Sequence, residues 1–261
     1  MALYTGNIKF TATDTEPTED KGRIYYDDSE SQLKHYDGSN WGNVSRDLTY
    51  GVTPGYGPYT VDDYTKLLIH SDTSDGSTTF VDSSTGGHTI SVNGTAAHQD
   101  TQKKIGNTSI YLPSGIANYI GTGRHADFQF TTGDFTFDFW CHSLTGYPFS
   151  GYDGSHGGHN LYGNDAGYFN VNSSSGSAGL QGSSLAGSSW SHVALVRSGN
   201  TMYLFINGIL AESEAFTHSI DATGEYRFGR NGTDNSDGTG YFDEIRISKG
   251  IARWTSDFTV Y

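Results

Sequence analysis

Apolar positions along this 261-residue chain come in short alternating runs, not at helical spacing. In Asp134–His142 the alternation is strict: Phe135, Phe137, Phe139 and Cys141 share one face of a strand, and Thr136, Asp138, Trp140 and His142 share the other. Further strand signals lie at Lys66–His70, Ser109–Leu112, Asn118–Ile120, Tyr168–Val171, His192–Arg197, Met202–Asn207, Tyr226–Phe228 and Tyr241–Ser248, with Phe258–Tyr261 as a closing edge. Asn207-Gly208, between Tyr203–Ile206 and Ile209–Glu212, predicts a tight hairpin. Ile251–Trp254 offers at most one helical turn, and no heptad repeat is present. Many short strands joined by turns predict an all-β, antiparallel, two-sheet jelly-roll sandwich over residues 63–261.

The front of the chain differs. Ile8–Phe10, Gly22–Tyr26 and Leu33–Tyr36 read as short strands, with Asp37-Gly38 as a turn before Trp41. Residues 1–46 are too few to bury much surface alone and are expected to be an attachment segment. Residues 47–62, with Gly51, Pro54, Gly55, Gly57 and Pro58, have the composition of a linker.

Composition refines this picture. The 18 Tyr and 14 Phe supply a core despite a hydrophobic content of 34%, and 35 Gly supply turns. The formal charge of −14 shows no basic face for nucleic acid. A lone cysteine, Cys141, cannot form an intrachain disulfide, and its place on the Phe face makes it a small buried apolar group. The opening MALYTGNIKF lacks the charged and apolar regions of a signal peptide, and no run is long enough for membrane insertion. The chain is therefore expected to be made in a cytoplasm and to leave it, if at all, within an assembled particle.

Several segments, in order, resemble the laminin-G-like branch of the concanavalin A-like lectin/glucanase superfamily. They are Leu67–Asp72 with Asp75–Asp82, Gly106–Leu112, Gly133–Trp140, Trp190–Arg197 with Met202–Gly208, and Phe242–Trp254. The subtype is similar to versions in tailed-phage structural proteins, and Gly22–Tyr26 with Leu33–Trp41 resembles short modules of phage fibres and head appendages. The resemblance implies a virion protein, assembled in the host cytoplasm. Residues 1–46 would hold other virion proteins, and the distal lectin-like domain would contact host glycans. Fibres of this kind are often homotrimers. The alternatives are a particle-packing module without sugar binding and a bacterial cell-surface adhesion protein.

Candidate chemistry falls in two places. The polar-aromatic stretch 147–162 carries Tyr147, Tyr152, Asp153, His159, Asn160 and Tyr162, which are expected to stack on sugar rings and bind hydroxyls; Asp138, Trp140 and His142 could join them. His156 and His159 lack the further ligands a zinc site needs. On Tyr241–Ser248, alternation puts Asp243 beside Ile245 and Ile247, facing the core. A buried carboxylate needs a partner: Arg197, backbone N–H groups of the 71–86 loops, or a metal. The fold family often holds structural Ca²⁺, and Asp72, Asp82 and Asp243 are its candidate ligands; Asp and Ser capping their own turns is the other reading. Trp190 and His192 are expected to pack.

Hydrolysis is not expected. Retaining glycosidases need two carboxyls about 5 Å apart. The Glu-x-Asp-x-x-Glu strand of the family's laminarinase-type enzymes is missing, and so is a Gly-x-Ser-x-Gly elbow. Asp243 and Glu244 are adjacent, and alternation would turn them to opposite sides.

Overall fold

The computed structural model describes residues 59–260, apart from 148, 153–160, 174, 221–224 and 231–236, together with four strands nearer the N-terminus. The chain divides into two compact units, 1–56 and 57–261. In the first, β1 (Ala12–Thr13), β2 (Ile24–Asp27), β3 (Gln32–Tyr36) and β4 (Trp41–Asn43) form one sheet in chain order. β1 pairs parallel with β2, and the rest is antiparallel, with Tyr36 opposite Trp41. The expected strand at Ile8–Phe10 and most of the 47–62 linker lie outside the described residues.

The second unit is all β. Its strands are β5 (Thr65–Ile69), β6 (Ile90–Asn93), β7 (Ala97–Gln99), β8 (Ser109–Leu112), β9 (Tyr119–Thr122), β10 (Phe135–Gly146), β11 (Phe149–Tyr152), β12 (Leu161–Gly163), β13 (Tyr168–Ser173), β14 (Gly176–Gln181), β15 (Ser191–Ser198), β16 (Thr201–Ile206), β17 (Ile209–Ala215), β18 (Glu225–Phe228) and β19 (Gly238–Lys249). Eight form one sheet in the order β17-β16-β15-β10-β19-β8-β7, with β5 also paired to β19. Seven form the other, in the order β14-β13-β12-β11-β18-β9-β6. Neighbours in both sheets are antiparallel, the arrangement of a jelly-roll sandwich.

The core between the sheets is largely aromatic. Phe135, Phe137, Phe139 and Cys141 of β10 point into it, as their alternation predicts. Phe137 stacks on Phe149 at 4.6 Å and lies 6.0 Å from Phe228 of the facing sheet. Each such buried side chain contributes about 1.5–3 kcal/mol of transfer free energy.

Two expectations change. The described part of the expected closing strand, Phe258–Val260, is not a strand: Phe258 stacks on Trp254 at 3.9 Å and joins a small second core with Ala194, Val196 and Phe205 on the outer face of β15 and β16. The stretch 147–162 is not one loop, because Phe149–Tyr152 and Leu161–Gly163 are strands flanking 153–160.

Candidate carbohydrate-binding face

The two sheets have outer faces of different character. On the eight-stranded sheet, Asp138, Trp140, His142, His192, Asp243, Glu244 and Arg246 are all buried although none joins the interior core. Three segments cover them. Tyr59 lies over Arg246, with the guanidinium carbon 3.9 Å from its ring centre, and its hydroxyl sits 2.6 Å from His192 Nε2. Trp254 and Phe258 meet the His192 ring edge-on. Lys104 places its ammonium 4.0 Å from the Trp140 ring centre.

Under this cover the charges are paired. Arg246 holds Asp138 through two hydrogen bonds, at 3.0 and 2.8 Å. Burial alone would raise the Asp138 carboxyl, but Arg246 and His192 hold it below its ordinary value. Glu244 accepts from the Tyr59 amide at 2.6 Å, and its carboxylate lies 2.9 Å from His70 Nδ1.

Asp243 corrects the simple alternation. Asp138 pairs with Arg246 and Trp140 with Asp243, so Glu244 and Ile245 together oppose Phe139. This is a β-bulge, and Glu244 takes the left-handed conformation it requires, at φ 50°. The bulge shifts the phase of the strand. Phe242, Ile245 and Ile247 face the core, while Asp243 turns to the Trp140 side. Its partners are neither Arg197 nor the 71–86 loops. It accepts from the amides of Lys104 (3.1 Å), Ile105 (2.9 Å) and Glu244 (2.9 Å). Removal from water pushes its carboxyl up to about 8, against the pull of the Ile105 amide and with a further push from Glu244. Arg197 instead donates to the carbonyls of Gly199, Thr131, His218 and Phe216.

Asp243 and Glu244 therefore lie on one side of the sheet, contrary to the alternation argument. Both are fully buried, beneath Tyr59 and the 104–105 segment. Trp140 and Asp138 are buried in the same layer and are not part of any exposed sugar-binding surface.

The three aspartates of the expected calcium site each have hydrogen-bond partners of their own. Asp82 accepts from the amides of Leu68, Ser84 and His88 and from the Ser84 hydroxyl, which occupies both its oxygens. Asp72 accepts from Asn107 at 2.9 Å. Among the described residues, these three do not form a group whose ligand atoms converge.

The outer face of the seven-stranded sheet is half-exposed. Phe169 and Val171 face the core, so Tyr168, Asn170 and Asn172 face outward. Tyr162 pairs with Asn170 on one side and with Ser150 on the other, and Ser150 pairs with Arg227. A row of polar and aromatic side chains thus crosses the sheet. Tyr147 and Tyr162 have ring centres 6.0 Å apart. Burial, then the neighbouring Tyr168 and Tyr147 hydroxyls, raises the Tyr162 phenol above its ordinary value. Asn170 donates to the Tyr168 hydroxyl at 3.1 Å, while its own carbonyl oxygen has no donor among the described residues. Three half-buried phenols provide flat faces for sugar rings and hydroxyl groups for polar contacts, while the Asn170 carbonyl oxygen is itself buried.

Of the predicted sugar-binding residues, Tyr147 and Tyr162 meet here. Tyr152 is the last residue of β11, and Asp153, His159 and Asn160 lie outside the described residues. Tyr168 and Asn170 were missed. Their signal was the alternation of Tyr168–Ser173, in which every outward position is polar or aromatic.

Comparison with known proteins fits this architecture. The concanavalin A-like lectin/glucanases superfamily matches residues 113–253, more than half of the chain. The chain belongs to this superfamily. No curated protein matches the chain in sequence. Among solved structures, the laminin-G-like sandwich is similar to the binding domain of Paraclostridial mosquitocidal protein 1 (14% identity, TM-score 0.56, 72% of this chain and 50% of that one). It is also similar to a botulinum neurotoxin type C structure, described through that toxin's dependence on two ganglioside molecules for cell entry (16%, 0.54, 72% and 49%). A third similar structure is domain 4 of an extracellular arabinanase from Geobacillus stearothermophilus, in complex with arabinotriose (19%, 0.55, 72% and 93%). At these identities the likeness is one of fold. The chain spans about half the length of the toxin domains it matches.

Proposed function

We propose that this chain is a non-catalytic virion structural protein, a tail fibre or capsid appendage, whose lectin-like sandwich contacts host surface glycans. The observation that carries the glycan reading is the row Tyr147, Tyr162 and Tyr168 on the half-exposed outer face of the seven-stranded sheet. Two neighbours in fold support it, since one was solved with arabinotriose and another is described through gangliosides. The sealed carboxylates of the eight-stranded sheet support the absence of hydrolysis. The virion reading rests on the resemblance of Gly22–Tyr26 and Leu33–Trp41 to phage fibre and appendage modules, with residues 1–46 as attachment; of the expected linker 47–62, residues 59–62 belong to the sandwich, where Tyr59 and Asp62 are bonded to its side chains.

A glycan array probed with the full chain tests the first part. Binding is expected, and Tyr162→Ala should weaken it by about tenfold or more, which is about 1.4 kcal/mol, with no change in melting temperature. No binding at millimolar glycan would leave a packing role only. Mass spectrometry of purified virions tests the second part, and absence of the chain from particles would overturn it.

A further inference from the structure

A second site lies at one rim of the sandwich. β6 and β9 pair antiparallel, with Ile90 opposite Thr122. Their pairing brings His88, just before β6, next to the short 3₁₀ turn at Ala126–Phe128, just after β9. His88 Nε2 lies 3.1 Å from Asp127 Oδ2, and His125 Nδ1 lies 3.2 Å from the same oxygen. The ligand atoms of the three residues all lie within 4.8 Å of one another, and no other group of His, Cys, Asp or Glu among the described residues does so.

The surroundings hold these groups in place. The two imidazole rings are 4.5 Å apart, and His88 rests 4.8 Å from the buried Phe128 ring. Side-chain exposure rises from 12% at His88 to 31% at Asp127 and 52% at His125, so the cluster has an apolar floor and one open side. A Cβ at Gly86 would collide with the His88 ring, so the glycine allows that ring to fold back over its own turn. Asp82 fixes the same turn by accepting from the His88 amide at 2.8 Å.

One carboxylate oxygen facing two imidazole nitrogens calls for positive charge between them. A tetrahedral Zn²⁺ with bonds of about 2.0 Å separates its ligand atoms by about 3.3 Å, close to the two imidazole–carboxylate spacings of 3.1 and 3.2 Å. We propose that His88, His125 and Asp127 bind a divalent transition-metal ion, Zn²⁺ by ligand type, with the fourth position open to solvent. Two imidazoles and one carboxylate suit Zn²⁺ and not Ca²⁺, which takes oxygen ligands. Binding takes the His125 Nδ1 lone pair from the Asp127 amide, a 3.2 Å contact on an exposed turn, so little is lost. The ion would tie the turn before β6 to the turn after β9.

The test uses the untagged full chain, stripped with chelator and titrated with Zn²⁺ by calorimetry and with Co²⁺ by visible absorption. One ion per chain is expected, with the intense bands of tetrahedral Co²⁺. His125→Ala and Asp127→Asn should each weaken binding by more than the roughly 10- to 100-fold typical of an outer-shell partner. Both side chains are partly exposed, so the metal-free melting temperature should not move and folding is checked separately. Absence of one-to-one binding at roughly 100 μM Zn²⁺ would overturn the proposal. So would binding undiminished in both variants, which would place the ion elsewhere.

Discussion

Asp138 and Asp243 lie in one buried layer of the same sheet, yet their carboxyls shift in opposite directions. Asp138 has a guanidinium in bidentate contact, whereas Asp243 is hydrogen-bonded by backbone amides and has Glu244 beside it. The sign of the pH effect follows. In the unfolded chain Asp243 titrates near the ordinary value of about 3.9. In the folded chain it is raised to about 8. Between these values the folded state holds a proton that the unfolded state has lost. Its stabilising contribution is therefore complete below about pH 4 and is lost as pH rises through about 8. The urea midpoint of the wild type should fall from about pH 5 to about pH 8 more steeply than that of Asp243→Asn. Equal slopes would count against this. For Asp138, replacement by Asn leaves Arg246 buried without a counter-charge and should cost about 3–5 kcal/mol in denaturant unfolding. The double replacement Asp138→Leu with Arg246→Met should cost far less, because no charge is left unpaired.

Turns and bulges set the register of the elements. Asn207 and Gly208 have φ of 53° and 76°, the two positive angles of a tight hairpin turn between β16 and β17. The glycine also packs against the C-terminal segment: a Cβ there would strike the Phe258 carbonyl oxygen, and the Phe258 amide donates to the Gly208 carbonyl at 2.9 Å. Gly208→Ala should lower stability by about 2 kcal/mol through backbone strain alone. It should also loosen the Trp254–Phe258 stack, read as a change in tryptophan emission. An unchanged melting temperature would show that the turn and tail adapt without cost. The edge of β14 is managed differently. Glu212 and Glu214 of β17 accept from the Gln181 and Gly179 amides, which caps donors that would otherwise invite another strand.

At the scale of the second unit, the decisive asymmetry is between the two outer faces. Residues 59–62, 104–105 and 252–258 close one face, and the polar-aromatic row of the other stays half-exposed. This asymmetry is why the glycan proposal rests on Tyr162 and not on Trp140. Trp140 has the same chemistry in the sequence but is only 4% exposed. The superfamily match and the fold neighbours agree on this two-sheet architecture.

The sequence by itself determined the all-β sandwich, the inward row Phe135–Phe137–Phe139 and the hairpin at Asn207-Gly208. These depend on alternation and turn chemistry, which act between neighbours in the chain. It also carried the superfamily resemblance and two tyrosines of the candidate glycan face. Tertiary structure alone decided the direction of Asp243, because a bulge opposite Phe139 resets the alternation and only the partner strand reveals it. It alone decided which sheet face is sealed, because the covering residues come from distant parts of the chain. The pairing of β6 with β9 likewise brings His88 to His125 and Asp127, across a separation no local pattern could announce.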